Sequence, residues 1–359
     1  MIELKNFVEI SKYAGERFDL VQAAGGNSSV KLKNGEMFIK ASGFSLSDVS
    51  ENSGYSKVDT KKIANILKNK TIIKEADKKK REFLAKELVG KATLDKNNRP
   101  SIETLLHSTL YKYTLHTHPA VVNMIVIQKE WKKILLSIFK DENIALVSYK
   151  TPGIDLALEL NKVLVAFVIV PKIIFLQNHG LIVTSDNSND IKKLTELVLI
   201  KIENFLKIDM SKYKLTNKIS KLINNLKKKT NIAYLSEDKY LNDQLVKNLD
   251  LFLQMPFCPD SLVFCGVSAL IVKDLKDVKA LKEYKKKYHD FPKVIIFNKH
   301  IFFIALNIKK AKEIEEVMKF HIMVLEKNKK NNKNFLEAQE LLYLNNWEAE
   351  KYRKKLRIK

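Results

Sequence analysis

Between Val163 and Val183 the chain reads VLVAFVIVPKIIFLQNHGLIV, its most apolar stretch, interrupted by Pro171-Lys172 and again by Asn178-His179. A bilayer-crossing helix needs about 20 mostly apolar residues in one run. The interruptions therefore favour two buried strands and a soluble protein without a membrane partner. Met1–Tyr13 mixes acids with apolar residues instead of placing a basic start before an apolar run, so no secretory leader is expected.

With 359 residues, of which 45% are hydrophobic, the chain has material for two domains, each with a core. Its formal charge of +23 raises the question of nucleic acid. The basic residues are mostly Lys, however, which binds phosphate as a point charge and does not read base edges through a fork. Apart from short runs at Lys78–Arg81, Lys227–Lys229 and Lys354-Lys355, they are scattered, and aromatics do not interleave with them as a stacking platform requires. The charge is read as a solvated surface that attracts anionic substrates, with no specific nucleic-acid partner. The two cysteines, Cys258 and Cys265, cannot frame a disulfide scaffold, so a reduced, cytoplasmic setting is expected.

Apolar spacing predicts an opening helix from about Glu3 to Val21, then a glycine turn at Gly25-Gly26 and a hairpin closed by Asn34-Gly35. Lys61–Leu88 is polar and helical or loop-like. Ser101 is expected to cap a helix, followed by a strand over Thr114–Pro119 and a helix over Ala120–Lys133. A strand near Ile144–Tyr149, a helix over Ile154–Val163, strands over Ala166–Val170 and Ile173–Leu176, and a helix from Asp186 to about Ile208 complete the first domain. Its expected extent is 1–210. Residues 211–232 are basic and polar and are expected as a linker. A smaller α/β domain is expected over 233–359, with strands at Ser261–Val272 and Val294–Leu306.

Four places carry chemistry. In His116-Thr117-His118, residues two apart on a strand face the same way, which suits two ligands of one metal. His179 interrupts an apolar strand, where an unpaired imidazole is costly. It is either a core histidine bonded to a backbone carbonyl or a third ligand that leaves an open position, as at catalytic zinc sites. Glu103 either complements the dipole of the helix after Ser101 or is aimed into the same site. His107, one turn on, is read as a supporting or buried histidine. The turns Gly25–Ser29 and Ala41–Gly43, flanked by Lys31 and Lys40, suit anions.

In this order GGNSSVK (Gly25–Lys31), FIKASGFSLSD (Phe38–Asp48), PSIETLLH (Pro100–His107), HTHP (His116–Pro119) and NHG (Asn178–Gly180) resemble the class II aldolase/adducin family. The wording is most similar to a long bacterial branch in which an aldolase-like region precedes a short-chain dehydrogenase. MPFCPDSLVF (Met255–Phe264), PKVIIFNKHIFFIAL (Pro292–Leu306) and NNWEAEKYRKKL (Asn345–Leu356) are similar to the region that follows in that branch. No GxGxxG follows a strand, so no nicotinamide cofactor is expected.

The resemblance implies a three-layer α/β/α aldolase-like domain followed by the smaller α/β domain. It implies Zn2+, or another divalent metal, on His116, His118 and His179, with Glu103 as acid/base. Asn27, Ser42, Gly43 and Ser101 would contact the substrate's phosphate or nearby oxygens. The implied reaction is a lyase step that cleaves or forms a carbon–carbon bond in a sugar or sugar phosphate, a phosphorylated ketose above all, through a metal-stabilised enediolate. A homotetramer is implied too. Ile102 stands where sugar-phosphate aldolases carry a second hydroxyl residue, and Ser261 where the long branch has His. Epimerase relatives carry Asp in place of Glu103, which favours cleavage. An epimerase or dehydratase with the same metal site, or a non-catalytic adducin-like module, are the alternatives.

Overall fold

The computed structural model describes residues 1–95, 97–226, 231–276 and 278–346, and the chain divides into two compact units, Met1–Met210 and Ser211–Lys359. Among the described residues no helix is long and apolar enough to cross a membrane.

In the first unit seven strands form one sheet: β1 Asn27–Lys31, β2 Glu36–Lys40, β3 Tyr55–Asp59, β4 Tyr113–Thr117, β5 Ile144–Val147, β6 Ile173–Leu176 and β7 Gly180–Ser185. Their order is β3-β2-β1-β4-β7-β6-β5, antiparallel throughout except for the β5–β6 pair. Successive strand residues point to opposite faces. Phe38, Leu115, Phe175, Leu181 and Val183 accordingly enter one core, shared with helices Ile2–Gly15, Ala120–Val126, Trp131–Ile138 and Ser188–Leu206. Their neighbours Met37, Ile39, Ile174, Leu176 and Ile182 enter a second core, shared with helices Thr60–Ile66, Lys78–Ala92, Thr104–Ser108 and Ile154–Leu164. Helices on both faces of a mixed sheet make the expected three-layer α/β/α unit.

Several expected elements differ. Ala166–Val170 is irregular instead of a strand, with Val165, Val168 and Ile169 exposed. An apolar run without a period does not by itself distinguish strand from loop. The strand that pairs antiparallel with β6 begins at Gly180, after a turn in which Asn178 takes φ +52°. The single helix expected over Ala120–Lys133 is two, Ala120–Val126 and Trp131–Ile138.

The second unit holds a four-stranded sheet of β8 Ile232–Leu235, β9 Leu270–Ile271, β10 Val294–Phe297 and β11 His300–Ala305, in the order β8-β11-β10-β9. Asn298 and Lys299, both at positive φ, close the β10–β11 hairpin, the conformation a two-residue hairpin turn demands. Leu241, Leu245, Ala311, Ile314 and Met318 of helices Lys239–Lys247 and Ile308–Lys327 pack on this sheet. Residues 211–232, expected as a basic linker, instead contain the helix Ser211–Asn224 and the first residue of β8. Tyr213, Thr216, Ile219, Leu222 and Ile223 are buried at helical spacing there, and that stripe decides the outcome over the intervening lysines. Ser261–Val272, expected as a strand, opens as a helical turn over Ser261–Cys265, and only Leu270–Ile271 pairs. Lys227–Lys229, Lys354-Lys355 and all of the Asn345–Leu356 motif beyond Asn346 lie outside the described residues.

Candidate metal centre

β4 lies between β1 and β7, with His116 opposite Asn27 on one side and Ile182 on the other. His118 follows the strand, its backbone N–H bonded to the Leu20 carbonyl at 2.9 Å. His179 comes from the β6–β7 turn. The Nε2 atom of His116 lies 3.1 Å from that of His118 and 3.2 Å from that of His179. Its Nδ1 is 3.1 Å from the carbonyl of Leu181. A carbonyl only accepts, so Nδ1 carries the proton and Nε2 presents a lone pair. Burial pushes both His116 and His118 below the ordinary histidine range, towards the neutral form a metal requires.

Three neutral imidazoles brought together without a cation would oppose lone pair to lone pair. Around a tetrahedral cation with metal–nitrogen bonds of about 2.0–2.1 Å, the nitrogens stand roughly 3.3 Å apart. One ligand atom from each histidine falls within 4.8 Å of the others, and the donor set fits a divalent ion such as zinc.

Two glycines make room for the ring of His118. A Cβ on Gly25 would lie 3.0 Å from His118 Nδ1, and one on Gly180 would lie 3.1 Å from His118 Cδ2 and 2.2 Å from the Thr117 carbonyl. Gly26, at φ +73°, passes the His116 carbonyl, which a Cβ would approach to 2.8 Å. These glycines act through what they leave empty.

Glu103 occupies the N-cap position of helix Thr104–Ser108, in place of Ser101, whose Oγ instead accepts the Glu103 N–H at 3.3 Å. The carboxylate therefore faces the histidines: Oε1 is 3.2 Å from His179 Nε2, and Oε2 is 3.6 Å from His116 Nε2. Asn27 Nδ2 donates to Oε2, while Asn27 Oδ1 is buried without a partner among the described residues. Burial acts to raise the Glu103 carboxyl, whereas positive charge at His116, a hydrogen bond from His179 and positive charge at His179 and His118 act to hold it below the usual carboxylate range. His107, pushed down to about 3 by burial, bonds through Nδ1 to Ser29 Oγ at 2.7 Å. It braces β1 and is no fourth ligand.

Asn27, Ser101, Glu103 and the three histidines thus form one group. Ser42 and Gly43 lie in an exposed turn, with Gly43 at φ +86°. The Ser42 N–H donates to the Arg99 carbonyl at 2.8 Å, which sets that turn beside the segment leading to Ser101. Ile102 is exposed.

Residues 5–201, more than half of the chain, match the model of the Class II Aldolase and Adducin N-terminal domain. Among solved structures, the N-terminal class II aldolase domain of a conserved protein from Thermoplasma acidophilum is 23% identical, covers 57% of this chain and 93% of its own, and superposes with a TM-score of 0.49. YgbL of Klebsiella pneumoniae, its reaction given only as aldolase/epimerase/decarboxylase, is 15% identical, covers 57% and 89%, and has a TM-score of 0.42. The L-fuculose-1-phosphate aldolase of Thermus thermophilus is 14% identical, covers 57% and 94%, and has a TM-score of 0.37. No curated protein matches the chain.

Proposed function

The chain belongs to the class II aldolase and adducin family, and from that premise we propose that it is a zinc-dependent lyase. It cleaves or forms a carbon–carbon bond in a phosphorylated ketose. The observation that supports this reading best is the convergence of three imidazole Nε2 atoms with the Glu103 carboxylate, 3.2 Å from His179 and 3.6 Å from His116.

Cleavage beside a ketone leaves an electron pair on the carbon next to the carbonyl. A divalent ion on the three histidines, when bound, supplies positive charge to the carbonyl and neighbouring hydroxyl oxygens. In cleavage the hydroxyl across the breaking bond gives up its proton as it becomes the aldehyde, and Glu103 delivers a proton to the carbon that keeps the electron pair. Synthesis runs both transfers in reverse, with Glu103 as general acid and base. The Asn27 amide, by donating to Oε2, fixes which oxygen is left for that transfer. Asn27, Ser42, Gly43 and Ser101 hold the phosphate or the oxygens next to it, and Ser101 also sets the backbone of Glu103. The proposal extends to a cytoplasmic homotetramer in carbohydrate metabolism. A non-catalytic module would have no use for a buried carboxylate aimed at three histidines.

Zinc-loaded protein incubated with a panel of ketose 1-phosphates is expected to yield two fragments, a three-carbon phosphate and an aldehyde, resolved by mass spectrometry. A single isomeric sugar phosphate would reassign the same site to epimerisation. Zinc retained with no conversion of any ketose phosphate would overturn the lyase reading.

A further inference from the structure

His118 lies one residue past the end of β4, and its backbone finds its partner outside the sheet ladder. The His118 N–H donates to the Leu20 carbonyl at 2.9 Å, and the Ala120 N–H donates to the Asp19 carbonyl at 3.0 Å. Pro119, between them, has no N–H to give. Two carbonyls of the turn Arg17–Val21 therefore hold the segment that carries this metal ligand.

That turn is built around an inversion of charge. Arg17 and Asp19 are 1% and 2% exposed, whereas Phe18 between them is 53% exposed. Hydrophobicity alone would bury the phenylalanine and leave the two charges in water. Arg17 Nε donates to Asp19 Oδ1 at 3.0 Å and Nη2 donates to Asp19 Oδ2, a bidentate fork closed across a single residue. Nη1 donates to Glu196 of helix Ser188–Leu206 and to the Tyr13 hydroxyl oxygen at 3.3 Å. Tyr13 in turn donates to the same Glu196 oxygen at 2.6 Å. The Arg17 carbonyl accepts the N–H groups of Leu20 and Val21, each at 3.1 Å. Side chain and main chain of one residue thus close the turn from both sides. A buried ion pair is a weak source of stability beside apolar residues of the same volume, and its best-attested use is to specify one arrangement. The arrangement specified here is the backbone of His118, whose Nε2 has to meet that of His116 at 3.1 Å.

We infer that Arg17 is a positioning residue of the metal centre: its fork to Asp19 fixes the turn whose carbonyls set His118, so that it governs metal affinity and geometry without touching the ion. The inference rests on the metal centre of the proposed function and not on the reaction carried out there. Groups that orient a ligand without being one change metal affinity by roughly 10- to 100-fold when replaced.

The test uses the full chain and two ions, zinc for affinity by competition with a chelating dye and cobalt(II) for the visible spectrum of the ligand set. Arg17→Lys keeps the charge but lacks the planar fork. It is expected to lose zinc affinity by roughly 10-fold or more and to shift the cobalt bands. Leu160→Ala, in the core on the other face of the sheet, controls for lost stability alone. It should lower the denaturation midpoint and leave zinc affinity and cobalt bands as in the wild type. Wild-type affinity and spectrum in Arg17→Lys overturn the inference, and so does a Leu160→Ala protein that changes both readouts as much. Should Arg17→Lys not fold, the nearly isosteric Asp19→Asn takes the charge from the same fork and has to alter the cobalt bands; unchanged bands overturn the inference as well. Zinc uptake and ketose cleavage indifferent to Arg17 would sink this inference and spare the lyase reading. Weakened zinc binding in Arg17→Lys, with no ketose phosphate cleaved by the zinc-loaded wild type, would do the reverse.

Discussion

Glu103→Gln is expected to keep one zinc per chain and to lose turnover by a factor of about 100 or more, the usual contribution of a positioned general acid or base. The substitution is nearly isosteric, and the carbonyl oxygen of the new amide still accepts from Asn27 Nδ2, as Oε2 does in the wild type. Its NH2 group can neither take a proton from carbon nor return one. Two of the three histidines, His116 and His118, do not depend on Glu103 for their arrangement. His116 is oriented by the Leu181 carbonyl, and His118 is packed between Gly25 and Gly180. Metal content and turnover are therefore expected to separate. Turnover near the wild-type rate in a zinc-loaded Glu103→Gln enzyme would remove Glu103 from the reaction.

The second large effect comes from a residue with no side chain. In Gly180→Ala the new Cβ would stand 2.2 Å from the Thr117 carbonyl, a backbone atom of the neighbouring strand, and 3.1 Å from the His118 ring. β4 and β7 have to part at the position that carries the metal ligands. Overpacking of this kind costs roughly 1–3 kcal/mol, read as a lower denaturation midpoint, and zinc affinity should fall with it. Gly90→Ala is the control. It lies within helix Lys78–Ala92, where a Cβ meets nothing within 4 Å, so it should stabilise the protein by about 0.5–1 kcal/mol. Unchanged zinc affinity in Gly180→Ala would mean that the strand shifts without the histidines.

The parts of this architecture that were legible in the sequence are those with a local physical signature. Alternation placed His116 and His118 on one side of a strand, Asn34-Gly35 marked a hairpin, and the apolar run around Ile173 marked a buried strand. The placement of Glu103 needed tertiary structure. The same first-turn carboxylate suits a helix dipole, and only the register of β1 with β4 brings Asn27 and His116 to it. Strand β3 was missed because the buried positions of Tyr55–Asp59 are Ser56 and Val58, so only one of them is apolar. The helix Ser211–Asn224 was hidden by its lysines, although its apolar residues keep helical spacing. That the buried Lys40 donates to the Ala24 and Phe44 carbonyls had no sequence signal beyond a lysine beside a small-residue turn, since both partners are backbone atoms of separate loops.

Elemental analysis of the purified protein, set beside a His116→Ala/His118→Ala variant, tests the central claim most directly. One zinc, or another divalent ion, per wild-type chain and none in the variant is the predicted result. Wild-type protein that holds no metal after incubation with zinc would contradict the metal centre and the lyase chemistry built on it.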